Sequence, residues 1–448
     1  MESDHLVATH ARAAMMLKQL ARGRSFMSIH EDPTEMLVPV QQVYRPAIEI
    51  VSTAIEHALY HENRRREPNL AMVDFLAAML LVAHQFIEAI DNATECVILD
   101  PPSPVKPPTN FYAKLWSNFR AVHERTHFNG DTLRAVIDTT IGKISHWSVQ
   151  VDDPKQSGGE TLKCSHVVVM WRTGLPVRKV TVFCDATSTA EKLSALTERE
   201  VIDITPRIGH LVQLAETIQY PHDITRRASD RKACNLLRTI LKMRNATRAG
   251  VIGHSGHIRK MFRNKETVLD AETRARVSLN AYFGEGLDRA SNAWLECDVI
   301  VVLGTPRVSP SVVRSELLRV GNVDAANRDG RWGERLWEGL TTDRSIVRVT
   351  GRGYQDDEWN AACKGLVRAA LVQAAGRGRG ILIDGIPVVV LSTENTGLPL
   401  ASLEQIAELK SQLKAVGRSH SARLNDMAQA VNQAFDSLLG KHETMVVS

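Results

Sequence analysis

Two arginines set between glycines, in the stretch QAAGRGRG from Gln373 to Gly380, are the residues of this chain best fitted to do chemistry. A guanidinium keeps its charge at any physiological pH and presents a planar fork of donors that matches a phosphate. Beside a terminal phosphate it stabilises the charge that develops as a phosphoryl group is transferred. Gly376, Gly378 and Gly380 lack a Cβ, so the backbone around Arg377 and Arg379 can approach a ligand closely. The plain alternative is a flexible basic loop or a helix C-cap, because Leu366, Val367, Ala370 and Leu371 precede the stretch at helical spacing.

Other polar clusters also follow apolar runs. VTVFCDAT ends in Asp185, Ala186 and Thr187, CDVIVVLGTP ends in Gly-Thr-Pro, and FGEGLDRASNAW holds Gly286, Arg289, Ser291 and Asn292. GHSGH spaces His254 and His257 as metal ligands can be spaced, but no nearby cysteine or carboxylate completes a site, so a strand-end loop is expected. Gly256 falls one position early for the serine turn G-x-S-x-G. GRGYQDDEW offers charge and an aromatic to a single strand, or is simply a turn. Its Asp356, Asp357 and Glu358 read as N-cap and first-turn charges. Arg64, Arg65 and Arg66 read as a solvated helix end, with a phosphate contact as the alternative.

The elements that must carry these loops change along the chain. Residues 1–156 read as helical, with PPSPVKPPTN as a stiff linker. Beyond Ser157, the runs SHVVVMW, KVTVFCDAT, EREVIDIT, RAGVIGHS, CDVIVVLGTP, SIVRVTG and IPVVVLST read as strands among helices. Continuous valine and isoleucine runs are the signature of parallel strands buried on both faces. The fold class expected is α/β, with a doubly wound parallel sheet whose ligands sit at the carboxyl ends of strands. After Leu403, Leu424, Met427, Val431, Phe435 and Leu438 space out an amphipathic helical tail.

Composition excludes some classes. Of 448 residues 44% are hydrophobic and 24% charged, with a net charge of +4, which is ordinary for a soluble domain and too mild to argue for nucleic acid. The six cysteines are scattered singly, against a disulfide framework and for a reducing cytoplasm. The longest apolar run, Phe75 to Ala83, is too short to span a bilayer, so no membrane partner is expected.

Taken in order, DAT, FGEGLDRASNAW and QAAGRGRG resemble motifs III, V and VI of superfamily 2 helicases, and the texture is similar to the replication helicases, often fused to primases, of plasmids and phages. The resemblance covers roughly Lys179 to Leu400. It implies a RecA-like fold, with 157–215 as the end of a first lobe, 216–402 as a second lobe and 403–448 as a helical tail. It implies that Arg377 faces the ATP γ-phosphate, that Gln373 opens the motif and that Gly376 lies beside it. Many relatives place the second arginine one residue later than Arg379. Gly286, Arg289, Ser291 and Asn292 would lie between nucleotide and DNA backbone, and Asp185 and Thr187 would couple the lobes.

A motor also needs a phosphate cradle, and G-x-x-x-x-G-K-[ST] occurs nowhere in the chain. TTIGKIS has Gly142-Lys143, but Ile144 follows and the upstream glycine is missing. No Asp-Glu pair is found at the end of a buried strand, and Asp100 in ECVILDPP reads as a turn. The chain is therefore expected to begin inside the first lobe, as the C-terminal part of a split or truncated helicase whose first lobe is either encoded on a separate polypeptide or lost through truncation or decay of the gene. It would use ATP and Mg only if a separate Walker A-bearing first-lobe protein supplies the cradle. The function expected is a helicase-related DNA-processing protein acting on single-stranded or duplex DNA, with no resident metal. The alternative is a non-catalytic nucleic-acid-binding or assembly module derived from a helicase.

Overall fold

Strands made of unbroken valine and isoleucine cannot leave a face in water, and the structure resolves that demand by covering them from both sides. The computed structural model describes residues 26–416 apart from 31, 110, 113–129, 145, 151–154, 158–159, 163–164, 173–174, 176–179, 185–187, 205–215, 227, 265–267, 287–292, 329 and 380–384. The chain divides into two units. One comprises Met1–Pro206, Val308–Arg331 and Gln355–Cys363, and the other Arg207–Arg307, Trp332–Tyr354 and Lys364–Ser448.

In the first unit, β1 (Phe26–His30) pairs in parallel with β8 (Val180–Cys184). A four-stranded antiparallel sheet has the order β2-β7-β4-β3, built from β2 (Val40–Tyr44), β3 (Val97–Leu99), β4 (His146–Gln150) and β7 (His166–Met170). A small hairpin joins β5 (Lys155–Ser157) to β6 (Glu160–Leu162). The helices Arg45–Asn63, Leu70–Asn92 and Gly130–Thr140 share a core with that sheet, in which Phe75 meets Phe111 edge-on and Phe86 lies against Trp147. Helix Leu70–Asn92 is long and apolar enough to cross a membrane by composition, but its Phe75, Met79, Val82 and Phe86 are buried in this core. The first 156 residues are thus not wholly helical. The antiparallel strands there are short and flanked by polar residues, so helical periodicity nearby masks them.

The second unit holds a five-stranded sheet. Its strands are β9 (Thr217–Tyr220), β10 (Ala249–Gly253), β11 (Val277–Tyr282), β12 (Val299–Leu303) and β15 (Val388–Leu391), in the order β11-β10-β12-β15-β9, all parallel. One face presents Ile218, Val251, Val301 and Val389 to helix Asp230–Met243 and to Ile406 and Leu409 of the helix at 403–416. The other buries Ile252, Ile300, Val302 and Val390, with Trp294 packed over Gly250. The chain winds outward from β9 through β10 to β11, then reverses to β12 and β15, so the winding switches between β10 and β12. The α/β class with a doubly wound parallel sheet is the architecture observed.

Two expected strands differ. SIVRVTG belongs to β14 (Ile346–Tyr354), which pairs antiparallel with β13 (Trp332–Leu340) in a ribbon outside the parallel sheet. Its residues alternate between exposed and covered, the mark of a strand with one wet face. EREVIDIT forms no strand. Helix Ala190–Thr197 ends at Glu198 in the left-handed region, and Ile202 and Ile204 beyond it are about three-quarters exposed. The tail positions Leu424 to Leu438 lie outside the described residues.

One cap in the second unit makes a test of this local structure. Asp270 heads the helix Ala271–Ala275, accepting from Thr273 N and Thr273 Oγ1 at 2.8 Å each and from Arg238 Nη2 at 2.5 Å. Burial pushes its carboxyl up, but the Thr273 and Arg238 hydrogen bonds outweigh it and hold it at about 2, below the ordinary 3.8. A depressed carboxyl contributes stability above its unfolded pKa and loses it as pH falls through the folded one. Asp270→Ala should cost about 1 kcal/mol in urea unfolding at neutral pH. The gap between the two proteins should close as pH drops from about 4 to about 2.

Candidate functional site

The carboxyl ends of the parallel strands gather the polar side chains of the second unit, as a doubly wound sheet requires. Gln219 on β9 is wholly buried, and its Nε2 donates to the carbonyls of Ser392 at 2.7 Å and Glu394 at 2.6 Å. Thr396 Oγ1 donates to Gln219 Oε1, so one amide fixes the whole turn after β15. Thr305 after β12 pairs its hydroxyl with Ser392 Oγ at 2.8 Å, and Ser392 Oγ accepts from Glu394 N at 3.1 Å.

Arg307, four residues past β12, reaches across to that turn. Its Nη2 is 3.1 Å from Asp223 Oδ2 and 3.3 Å from Glu394 Oε1, and its guanidinium lies 5.5 Å from the Trp332 ring centre. Burial raises the Glu394 carboxyl against the pull of Arg307. Asp223 Oδ1 and Arg307 Nε are buried with no hydrogen-bond partner among the described residues. Beside them, His254 Nε2 sits 3.2 Å from the carbonyl of Ile224, and burial depresses its pKa. Asp223, Arg307, Glu394 and Trp332 were not singled out by sequence. Asp223 and Glu394 follow strands at an ordinary turn, and only the sheet order brings them to one arginine.

The His254–His257 pair is not a metal site. His257 Nδ1 faces Asp230 Oδ1 at 3.0 Å and Nε2 faces the carbonyl of Thr225 at 3.1 Å, so oxygen acceptors take up both nitrogens. The loop does open a helix after β10, as expected of a strand end. It leads into a single π-turn, Arg259–Arg263. Arg259 and Arg263 flank the Tyr282 ring at 5.5 and 5.3 Å, and Arg259, Lys260 and Arg263 are exposed. Arg263 also grips Glu285 at 2.6 Å, and Glu285 Oε2 accepts from Tyr282 N at 3.0 Å, which shapes the loop after β11. The Arg263 hydrogen bond, ahead of opposing burial, holds the Glu285 carboxyl down. In that loop Gly284 and Gly286 have φ of +82° and +99°. Arg289, Ser291 and Asn292 lie outside the described residues.

The turn from Gly376 to Arg379 is built, not loose, and Gly380 lies outside the described residues. Helix Asp357–Ala375 passes into a 3₁₀ turn, Gly376–Gly378, closed by Arg379 in the left-handed region. Arg377 is half-buried, and its Nε donates to the carbonyl of Gln373 at 3.2 Å. A Cβ at Gly378 would collide with Val388 and the carbonyl of Ile386, whereas Gly376 faces open space. The close approach at Gly378 is therefore to the chain itself. The turn precedes β15 and packs on its first residue, so Arg377 sits where the strand begins, and Arg307 and Glu394 sit where strands end. Sequence spacing brings Gln373, Gly376, Arg377 and Arg379 together, and separates them from the Arg307 cluster.

In the first unit, Asp185 and Thr187 lie outside the described residues, but β8, which leads to them, is placed beside β1. β1 runs into Glu31 and Asp32, an acid pair after a strand that sequence reading passed over because FMSIH is weakly apolar. Glu31 is outside the described residues. Asp32 Oδ1 accepts from Thr34 N at 2.9 Å and from Thr34 Oγ1, and Oδ2 lies 3.8 Å from Lys192 Nζ. Burial opposes it, but Lys192 and Thr34 keep the Asp32 carboxyl low. That is an Asx turn ahead of the helix Thr34–Leu37 and an ion pair, and no group of three metal-ligating side chains occurs among the described residues. Gly142 fits no phosphate cradle either. It has φ +67° just past helix Gly130–Thr140, with Pro104 where a Cβ would go. Asp100 follows β3 in irregular chain rather than in the turn expected, its carbonyl accepting from Trp147 Nε1 at 3.2 Å. Arg65 pairs with Glu62 and Arg64 covers Tyr60, as a helix end does. Asp356 Oδ1 accepts from Glu358 N and Trp359 N at 3.0 Å each, the N-cap expected. Gly142, Asp100 and Asp32 thus form no phosphate cradle or Mg site between them.

No protein-family model matches the chain, and no curated protein matches it. Among solved structures it is similar to Xpd4 of S. tokodaii at 11% identity and a TM-score of 0.40, over 89% of this chain and 79% of that one. A likeness of that degree carries no argument. The fold stands on the strand order and register above.

Gly304 makes the sharpest test of the site. Its φ is +93°, and a Cβ there would strike the carbonyl of Ile224 and come within 3.0 Å of His254 Nε2. Gly304→Ala should cost about 1–3 kcal/mol, read as an earlier midpoint in denaturant, while Gly376→Ala, facing open space, should stay within about 0.5 kcal/mol of the parent.

Proposed function

We propose that this chain is a helicase-related protein whose parallel-sheet unit serves as the second RecA-like lobe of an ATP-driven DNA motor. The observation that carries the reading is the GRGRG turn. A long helix delivers Arg377 on a 3₁₀ turn locked by Gly378, directly before a central strand of an all-parallel sheet. A guanidinium held on such a turn is pre-organised for charge stabilisation in phosphoryl transfer.

In this reading Arg377 is the arginine finger, with Arg379 in support and Gln373 and Gly376 shaping the turn. Gly286, Arg289, Ser291 and Asn292 link nucleotide to DNA backbone, and Asp185 and Thr187 couple the lobes. ATP and Mg come with a separate first-lobe protein that carries the phosphate cradle. The setting would be plasmid or phage DNA replication, in the cytoplasm. The exposed Arg259, Lys260 and Arg263 meet phosphates of single-stranded or duplex DNA. One observation favours the non-catalytic module instead: Asp32, which follows the strand beside β8, is spent on an Asx turn and an ion pair.

Two measurements separate these. Single-stranded DNA should bind in a salt-dependent way, and removing Arg259 and Arg263 together should lower the slope of log affinity against log salt by about 1.4. No binding at low salt removes both readings. Mixed with a cradle-bearing first-lobe protein, the chain should support DNA-stimulated ATP hydrolysis. Arg377→Ala should then reduce turnover by about three to five orders of magnitude, with Arg377→Lys a poor rescue and Arg379→Ala milder. Melting of these variants should stay near the parent. Salt-dependent binding with no turnover in any mixture leaves the non-catalytic module.

A further inference from the structure

His57 and His61 sit four residues apart on helix Arg45–Asn63, on the side away from its buried Val51, Ile55, Ala58 and Glu62. Residues at that spacing are neighbours on a helix surface. Both side chains are exposed, and their Nε2 atoms face each other at 3.0 Å, with ring centres 4.3 Å apart and planes at 65°. The edge of the Tyr60 ring braces His61, with centres 5.7 Å apart, and Arg64 covers the Tyr60 face at 4.4 Å. Nothing in the proposed motor uses this pair.

Two Nε2 atoms that converge in solvent either share a proton or chelate a cation. Metal–imidazole bonds of about 2.0–2.1 Å spanning 3.0 Å between nitrogens subtend about 94° at the metal. A tetrahedral ion would need about 3.4 Å between the same nitrogens. The angle is that of adjacent positions in a square-planar or tetragonal shell, which Cu²⁺ and Ni²⁺ prefer. We propose that His57 and His61 form an open two-imidazole site for Cu²⁺, with Ni²⁺ weaker, and with water or an exogenous ligand in the remaining positions. No third protein ligand stands by among the described residues, so the shell stays open to solvent.

The test is titration of the full chain with Cu²⁺, followed by calorimetry and by electron paramagnetic resonance. The chain has 16 histidines, so the site must be isolated by difference. The parent should show a tight tetragonal Cu²⁺ signal coupled to two nitrogens. His57→Ala and His61→Ala should each weaken that event by about a hundredfold, because two imidazoles fixed on one helix act as linked ligands. His84→Ala should leave it unchanged. His57→Gln and unchanged far-ultraviolet circular dichroism check that a loss is not unfolding. The proposal is overturned if both alanine variants bind Cu²⁺ as tightly as the parent, or if Zn²⁺ matches Cu²⁺ at this site. Loss in all the histidine variants alike, His84→Ala included, also overturns it.

Discussion

Double burial of β10 is the constraint on which the second unit depends. The strand is paired on both sides, to β11 and β12, and every residue from Ala249 to Gly253 is buried. Such a strand tolerates no polar side chain and little bulk. Gly250 makes room for Trp294 on one face, and Val251 meets the helix core on the other. Because both faces must be covered, helices occupy both, and polar groups are driven to the strand ends. The Arg307 cluster and the His254 loop are products of that exclusion.

Polar groups that do enter the interior are accounted for by few side chains. Gln219 satisfies its amide against two carbonyls and a hydroxyl, and so holds the turn after β15 in place. A buried amide without those partners would cost more than the turn could return. The Arg307 cluster is less complete. One guanidinium serves two carboxylates, and Asp223 Oδ1 is left over. Buried, half-satisfied polar groups at the carboxyl end of a sheet mark a place where the protein accepts a cost to stability.

Structural and functional demands overlap on the same residues in GRGRG. Gly378 is required by Val388 and Ile386, and the left-handed Arg379 closes the turn. A glycine at 378 would therefore persist without any ligand. Arg377 too has a structural contact, from its Nε to the carbonyl of Gln373.

Much of this was legible in the order of residues. Unbroken runs such as VIVVL and VVVL announce buried parallel strands, since only a strand covered on both faces is apolar at every position. The Asp356 cap and the placement of Arg377 after a helix follow from local spacing in the same way. The short β9 and the antiparallel strands β2, β3 and β4 were not legible, because strands of three to five residues with mixed polarity carry too little periodicity, and β13 was passed over although its partner β14 was read as a strand. The Arg307 cluster was beyond reach altogether. Asp223, Arg307 and Glu394 are far apart in the chain, and what joins them is the order β12-β15-β9, which is set by covering both faces of one sheet. Local sequence decides which residues make a strand. Only the packed sheet decides which strand ends become neighbours.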